Sequence, residues 1–150
     1  MGKEIERKFL VKELPSNIDE YPYLELEQGY LNTAPVVRVR KEDDSYYLTY
    51  KGKGLLEREE YNLSLTKEAY DHMIQKADGN IISKRRYLIP FNGYTVELDV
   101  FNKPFQPLII AEVEFPSVDE ALSFQPPEWF GDDVTKDHTY SNSYLSQKNL

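Results

Sequence analysis

The chain has 150 residues, of which 18 are Lys or Arg and 26 are Asp or Glu, giving a formal charge of −8. This length predicts a single domain over 1–150 that can bury a core. The lack of cysteine excludes disulfides and thiolate metal sites, and the negative charge disfavours general binding to nucleic acid or to an anionic membrane. No apolar run reaches transmembrane length and the N-terminal residues are charged, so we expect a cytoplasmic protein.

Charged and apolar residues alternate in most of the segments that read as strands, with links that are mostly of hairpin length. The predicted strands are 4–11, 24–31, 36–41, 46–51, 57–65, 81–89, 94–101 and 108–115. They would form one antiparallel sheet.

Three helices are expected beside this sheet. Thr66 is predicted to cap a helix that ends near Gly79, and residues 117–120 form a capping box that opens a second helix. A terminal helix is expected over 140–149. The Trp129–Phe130 pair is expected to plug one end of a closed sheet.

The first strand shows how the sheet is patterned. Successive strand residues point to opposite faces, so Glu4, Glu6 and Lys8 share one face while Ile5 and Phe9 share the other. Carboxylates about 6.5–7 Å apart along a strand repel by roughly 3 kcal/mol at an effective dielectric of about 20. We therefore expect a cation between them, either a divalent metal or a basic side chain of a neighbouring strand.

Such charged pairs recur in six of the eight predicted strands. One pair alone is most simply explained as the solvated face of an antiparallel sheet. The recurrence, and the concentration of Arg and carboxylates on this face, favour a sheet that closes with the charges inward. The set comprises seven acids, Glu4, Glu6, Glu60, Glu97, Asp99, Glu112 and Glu114, and seven bases, Lys8, Arg38, Arg40, Lys51, Arg58, Lys84 and Arg86. We predict an α+β, mainly β, fold: a closed eight-stranded antiparallel β-barrel with a polar charged interior and flanking helices.

A tunnel with both charge types suits a small anionic substrate. Guanidinium groups bind phosphate oxygens bidentately and stay charged, and Mg²⁺ or Mn²⁺ prefers carboxylates, water and phosphates as ligands. No Gly-rich phosphate loop is present, so P-loop chemistry is not expected.

Short motifs in the predicted strands carry a resemblance to a known family. They are ExExK at 4–8, RxR at Arg38 and Arg40, TxK at Thr49 and Lys51, RxE at Arg58 and Glu60, Lys84 with Arg86, ExD at Glu97 and Asp99, ExE at Glu112 and Glu114, Val134-Thr135, and Tyr140-Ser141-Asn142. In these motifs, over essentially its whole length, the chain resembles the CYTH superfamily, the triphosphate tunnel metalloenzymes.

The resemblance implies roles for the charged set. The seven acids would hold Mg²⁺ or Mn²⁺ or position water, and the seven bases would contact a triphosphate. Tyr30, Lys84 and Lys8 would be catalytic, with Tyr30 and Lys84 partnered in proton transfer. Asn62 stands where many members carry a second Glu, which removes one charge and leaves the number and strength of bound metals open.

The expected activity is metal-dependent hydrolysis of a triphosphate, with inorganic tripolyphosphate as the best single substrate and a metal-activated water as nucleophile. An adenylate cyclase or a thiamine or nucleoside triphosphatase stays open. A second alternative is a polyphosphate- or nucleotide-binding module without turnover. The protein would be a monomer or a homodimer.

Three further residues have more ordinary interpretations. His72 is expected on the surface of the first helix, and His138 to cap the terminal helix or to contact substrate. Arg7, on the face opposite Lys8, is expected to pair with helix carboxylates.

Overall fold

A computed structural model describes residues 3–150 of the chain, in which nine antiparallel strands form one sheet. The strands are β1 (Glu4–Leu10), β2 (Tyr23–Thr33), β3 (Val36–Glu42), β4 (Ser45–Lys51), β5 (Glu57–Arg58), β6 (Glu60–Ser64), β7 (Asp78–Phe91), β8 (Tyr94–Phe101) and β9 (Ile109–Glu114). The helices are α1 (Lys67–Ile74), α2 (Val118–Ser123) and α3 (Asn142–Gln147), with 3₁₀ turns at Ile18–Glu20 and His138–Tyr140.

The sheet curls into a nearly closed barrel. The strand order is β5-β1-β9-β8-β7-β2-β3-β4-β6, and β5 and β6 at the two ends are separated in sequence by Glu59 alone. Residues 57–65 therefore form two strands, not the one predicted, because the chain leaves β1 at Arg58 and joins β4 at Glu60. The barrel is nearly closed and antiparallel as predicted, with nine strands where eight were expected. The other predicted strands are confirmed, with ends that differ by at most three residues.

The predicted helix starts are confirmed. Thr66 Oγ1 accepts from the backbone N–H of Ala69 at 3.1 Å and Ser117 Oγ accepts from that of Glu120 at 3.2 Å. The capping box is only half formed, because the Glu120 carboxylate accepts instead from the Tyr94 hydroxyl at 2.6 Å. Helix α1 ends at Ile74, earlier than predicted.

The main apolar core lies outside the barrel, between the sheet and α2 with the segment that follows it. Phe9 packs against Phe124 and Phe130, and burial of such aromatic rings dominates the energy of a core. The expected plug at Trp129–Phe130 is wrong, since both side chains cover this outer face. Phe9 faces outward because it alternates along β1 with the inward-facing Glu6, Lys8 and Leu10. Trp129 and Phe130 pack with the cluster that contains Phe9, so they also lie outside the barrel.

Arg7 also faces this outer core. The prediction that it pairs with helix carboxylates is wrong: its Nη1 donates to the backbone carbonyls of Ala121 and Phe124 at 3.0 and 3.2 Å. Its Nη2 pairs at 2.9 Å with Asp133, which lies in a loop. The carbonyls of Ala121 and Phe124 lie at the end of α2, where the helix leaves them without helical partners.

The barrel interior changes character along its axis. Strand β1 presents Glu4, Glu6, Lys8 and then Leu10 to the interior, and the neighbouring strands follow the same progression. At the apolar end a second cluster comprises Tyr30, Val36, Ile82, Phe101, Ile110 and Leu145, with Leu10 packed against it. Leu145 belongs to α3, so α3 closes this end of the barrel.

Both histidines of the chain, His72 and His138, lie at the surface. His72 is exposed on α1, as predicted. His138 is exposed, its backbone carbonyl accepts from Ser141 Oγ at 2.7 Å, and its ring packs against Tyr144. No helix within residues 3–150 is long and apolar enough to span a membrane.

Candidate functional site

An open cavity of about 250 Å³ occupies the charged part of the barrel. Twelve of the fourteen charged residues predicted from the sequence line it: Glu4, Glu6, Lys8, Arg38, Arg40, Lys51, Arg58, Glu60, Arg86, Glu97, Glu112 and Glu114. The strand alternation therefore selected the wall of one cavity. Asp99 and Lys84 do not line it and are completely buried behind it.

Behind the wall, one carboxylate joins two cations. Asp99 Oδ1 accepts from Arg86 Nε at 2.7 Å, and Asp99 Oδ2 contacts Arg86 Nη2 at 2.9 Å and Lys84 Nζ at 2.6 Å. Burial opposes ionisation, yet Arg86 and Lys84 lower the pKa of Asp99. Both oxygens are thus committed to cations, and this geometry suits fixing Arg86 better than binding a metal.

The same burial acts on the lysine. Loss of hydration lowers the pKa of Lys84 to about 7, although Asp99 opposes the shift. Within residues 3–150 no hydrogen bond joins Lys84 to Tyr30, the pair expected from the resemblance. The Tyr30 hydroxyl accepts from Gln28 Nε2 at 3.3 Å, and Lys84 Nζ donates to Asn142 Oδ1 at 3.1 Å.

At the acidic end, Glu4 is held between two bases. Lys51 Nζ lies 2.9 Å from one oxygen of Glu4 and Arg58 Nε lies 3.2 Å from the other. Burial would raise the pKa of Glu4, but Lys51 and Arg58 outweigh it and bring this pKa to about 2. Lys51 also lies 3.4 Å from Glu60.

Other acids in the cavity repel one another, although Glu97 lies 3.4 Å from Arg86 Nη1. Burial, together with repulsion by Glu112 and Glu4, raises the pKa of Glu6 well above its ordinary value. Burial also raises the pKa of Glu97 and of Glu114, with repulsion from neighbouring carboxylates adding to it. Three crowded carboxyl groups therefore face one cavity, and a cation there would relieve their repulsion.

The opposite wall is basic and internally braced. Arg40 Nε donates to Gln28 Oε1 at 2.7 Å, and burial with repulsion by neighbouring guanidinium groups lowers the pKa of Arg40 to about 10, so it stays charged at neutral pH. Arg38 Nη2 donates to Thr49 Oγ1 at 3.3 Å, and the Thr49 hydroxyl donates to Asn62 Oδ1 at 2.6 Å. Asn62 thus orients Thr49, and through Thr49 also Arg38, without adding a negative charge to this wall.

Two cations keep donors available to a ligand. Within residues 3–150 the Lys8 ammonium has no salt bridge or hydrogen bond, and Arg58 uses only its Nε. Both also border a second cavity of about 250 Å³ that adjoins the first.

Sequence reasoning did not assign several of the lining residues to the site. Glu42 lines the cavity because β3 continues one residue beyond its predicted end, and the alternation with Arg38 and Arg40 could have shown this. Ser141, which caps α3, and Asn142 and Ser143 in its first turn also line the cavity. The Tyr140-Ser141-Asn142 motif drew attention to this segment, but no strand periodicity could have placed it in the cavity wall.

The donor set is compatible with Mg²⁺ or Mn²⁺. The acids facing the cavity offer only oxygen ligands, which these ions prefer, and the raised pKa of Glu6 marks a place where positive charge would be stabilised. No three His, Asp or Glu side chains within residues 3–150 converge as a ready cation cage. Mg²⁺ commonly binds through one or two carboxylates, with waters and substrate phosphates completing its shell, so the fit does not require such a cage.

The fold and the charged interior define a barrel protein built to hold a small anion. Residues 2–139 match the CYTH domain profile, and the chain belongs to the CYTH family. It is 39% identical over 148 residues to the inorganic triphosphatase of Nitrosomonas europaea, covering 95% of this chain and 96% of that one. It is also 39% identical over 153 residues to the inorganic triphosphatase of Acetivibrio thermocellus, covering 97% and 94%. The crystal structure of the inorganic triphosphatase NE1496 superposes with a TM-score of 0.73 at 36% identity, covering 99% of this chain and 97% of that one.

Proposed function

We propose that this protein hydrolyses a triphosphate in a metal-dependent reaction, and that its substrate is inorganic tripolyphosphate, which gives pyrophosphate and phosphate. The observation that carries the proposal is the convergence of six cations on one cavity of about 250 Å³: Lys8, Arg38, Arg40, Lys51, Arg58 and Arg86. Both inorganic triphosphatases named above support it, since they are 39% identical to nearly the whole chain.

The basic residues would hold the phosphate chain and stabilise the charge of the transition state. Guanidinium groups pair with two phosphate oxygens at once, and Arg38, Arg40 and Arg86 are already braced by neighbouring side chains. Positioned donors of this kind need no reorganisation as charge develops. Lys8 and Arg58 have donors that are free to follow the phosphate being cleaved.

The acids would act together with a divalent ion. Glu6, Glu97, Glu112 and Glu114 are the proposed metal-binding or water-positioning residues, with Glu4 and Glu60 beside them. A bound Mg²⁺ or Mn²⁺ supplies Lewis-acid stabilisation and lowers the pKa of a bound water. Ligation by Asp99 stays a prediction, because both of its oxygens contact Arg86 and Lys84.

The proton-transfer role of Tyr30 and Lys84 also stays a prediction. The two groups contact Gln28 and Asn142 instead of each other, so direct transfer would require them to rearrange. The cytoplasmic location and the monomeric or homodimeric state expected from the sequence stay predictions too.

Phosphate release from tripolyphosphate, ATP and thiamine triphosphate, each with Mg²⁺ or Mn²⁺, tests the proposal. We expect metal-dependent release from tripolyphosphate that is lost in Glu6→Ala, whereas Glu13→Ala, on an exposed loop, should react like the wild type. Production of cyclic AMP from ATP would instead support a cyclase. Tight calorimetric binding of tripolyphosphate without release of phosphate would support a binding module and reject the hydrolase.

A further inference from the structure

Helix α3 packs tightly against β7. Asn80 Nδ2 donates to the backbone carbonyls of Leu145 and Lys148 at 3.0 and 2.9 Å, which satisfies the end of the helix. Leu145 is only 4% exposed, within the apolar cluster that closes the barrel. The backbone of Gly79 lies so close to α3 that an added Cβ would approach Ser146 O to 2.0 Å. The residues at the start of α3 are therefore held in a fixed place.

This start of α3 forms part of the cavity wall. Ser141, Asn142 and Ser143 all line the charged cavity. Asn142 Oδ1 accepts a hydrogen bond from Lys84 Nζ at 3.1 Å. Asn142 thus connects a fully buried ammonium group to the cavity.

The Lys84 contact fixes which way the carboxamide of Asn142 points. An ammonium group can only donate hydrogen bonds, so the oxygen of the carboxamide must face Lys84 and its NH₂ group must face away. Among residues 3–150 this NH₂ group has no acceptor, and the only fully buried side-chain N or O atom without a partner there is Arg38 Nε. The Asn142 NH₂ group is therefore accessible, in a residue that lines the cavity.

The position of this donor suits a phosphate oxygen. Arg40 and Arg86 line the same cavity as Asn142, so the amide NH₂ shares this cavity with two guanidinium groups. An anion drawn there offers many acceptor lone pairs to a neutral donor. A hydrogen bond to a charged partner is also stronger than one between neutral groups.

We propose that Asn142 is a substrate-binding residue whose carboxamide NH₂ donates to a non-bridging oxygen of the bound phosphate chain, while Lys84 positions it by holding its oxygen. Helix α3 is then part of the binding site as well as the closure of the barrel. The proposal rests on the proposed function for the identity of the substrate and adds a binding residue to it.

Substitutions of Asn142, alone and combined with Lys84→Met, separate direct contact from an effect through Lys84. Asn142→Ala removes both the NH₂ donor and the acceptor for Lys84. Asn142→Asp keeps an acceptor for Lys84 but replaces the donor with a negative charge. A carboxylate in this cavity repels a phosphate chain whether or not residue 142 contacts it, so the deciding comparison is Asn142→Ala in the wild-type and Lys84→Met backgrounds. If Asn142 contacts substrate, Ala weakens binding in both backgrounds; if it only positions Lys84, Ala has no further effect in Lys84→Met.

The readouts are the Kd of tripolyphosphate by calorimetry without divalent metal, and KM and kcat with metal. For Asn142→Ala we expect Kd and KM to rise about tenfold, the loss typical of a hydrogen bond to a charged group. Asn142→Asp should raise both values further. Asn149→Ala, in the exposed tail, is the matched control and should bind like the wild type. Thermal unfolding of each variant shows whether it has folded.

Several results would overturn this assignment. One is wild-type affinity in Asn142→Ala, a second is unchanged affinity when Asn142→Ala is added to Lys84→Met, and a third is wild-type protein that does not bind tripolyphosphate at all. If the wild type binds tripolyphosphate but releases no phosphate, the hydrolase proposal fails while the calorimetric comparison still decides the role of Asn142.

Discussion

The buried triad of Asp99, Arg86 and Lys84 offers a severe test of how the basic wall is held. In Asp99→Asn the side chain keeps its size but loses the charge that both cations contact. Asp99 and Lys84 are completely buried, and removing one partner of a buried ion pair typically costs about 3–5 kcal/mol. Since domains are stable by about 5–15 kcal/mol, the loss should be a large fraction of the total. For a domain of about 150 residues it corresponds to a fall in Tm of about 6–20 °C.

This loss should depend on pH. Lys84 has its pKa lowered to about 7 by burial, so above that pH the lysine can become neutral and escape the penalty of an unpaired buried charge. In Asp99→Asn the pKa of Lys84 should fall further, because Asp99 is the group that most raises it. Below about pH 7 the wild type therefore keeps a paired ammonium group, whereas the variant must either release that proton or keep an unpaired charge. We therefore expect the destabilisation to be larger at about pH 6 than at about pH 8.

Equilibrium urea unfolding, followed by the fluorescence of the single tryptophan, Trp129, measures the free energy of unfolding. Glu25→Gln is the matched control, because the Glu25–Arg85 pair is about half exposed and such surface pairs contribute at most about 1 kcal/mol. A loss below about 1 kcal/mol in Asp99→Asn at both pH values would refute the reasoning. Adding Lys84→Met to Asp99→Asn should recover part of the loss, because it removes one of the unpaired cations.

Three further predictions follow from other parts of the barrel. Because the pKa of Glu6 is raised in the fold, the metal-free protein should lose stability as pH rises from about 4.5 through that raised pKa. In urea unfolding across this range, the free energy of unfolding should change less with pH in Glu6→Gln than in the wild type. Parallel pH profiles for the two proteins would contradict the assignment. Gly79→Ala should destabilise the protein more than Gly93→Ala. Both residues have positive φ, but only a side chain at Gly79 would meet backbone, at 2.0 Å. Equal losses of about 1–2 kcal/mol in the free energy of unfolding, the cost of the left-handed conformation alone, would show that α3 moves freely. Arg7→Ala should lower the free energy of unfolding, measured in urea, by about 2–4 kcal/mol. The substitution leaves helix-end carbonyls unpaired and removes stacking on an aromatic ring. A loss under about 0.5 kcal/mol would show that water satisfies these carbonyls.

The sequence determined which side chains face the interior. A strand alternates its faces every residue, so Glu4, Glu6 and Lys8 could be assigned to one face from local order alone. The same rule placed Arg38, Arg40 and the acids of the later strands, and all but two of the fourteen predicted residues reached one cavity. Turn and cap residues such as Thr66 likewise act through neighbours a few positions away, and their predictions were confirmed.

Only the tertiary structure decided what these side chains contact. The period of a strand does not say where a sheet closes, so the division of residues 57–65 between two strands was not foreseeable. Nor does it say which aromatic or aliphatic group fills the end of a barrel, where Leu145 lies instead of Trp129. Lys84 and Asn142 are separated by 58 positions, and their hydrogen bond exists only because α3 packs on β7. Facing is set by the local geometry of the backbone, whereas partners are set by register and packing between segments that are distant in sequence.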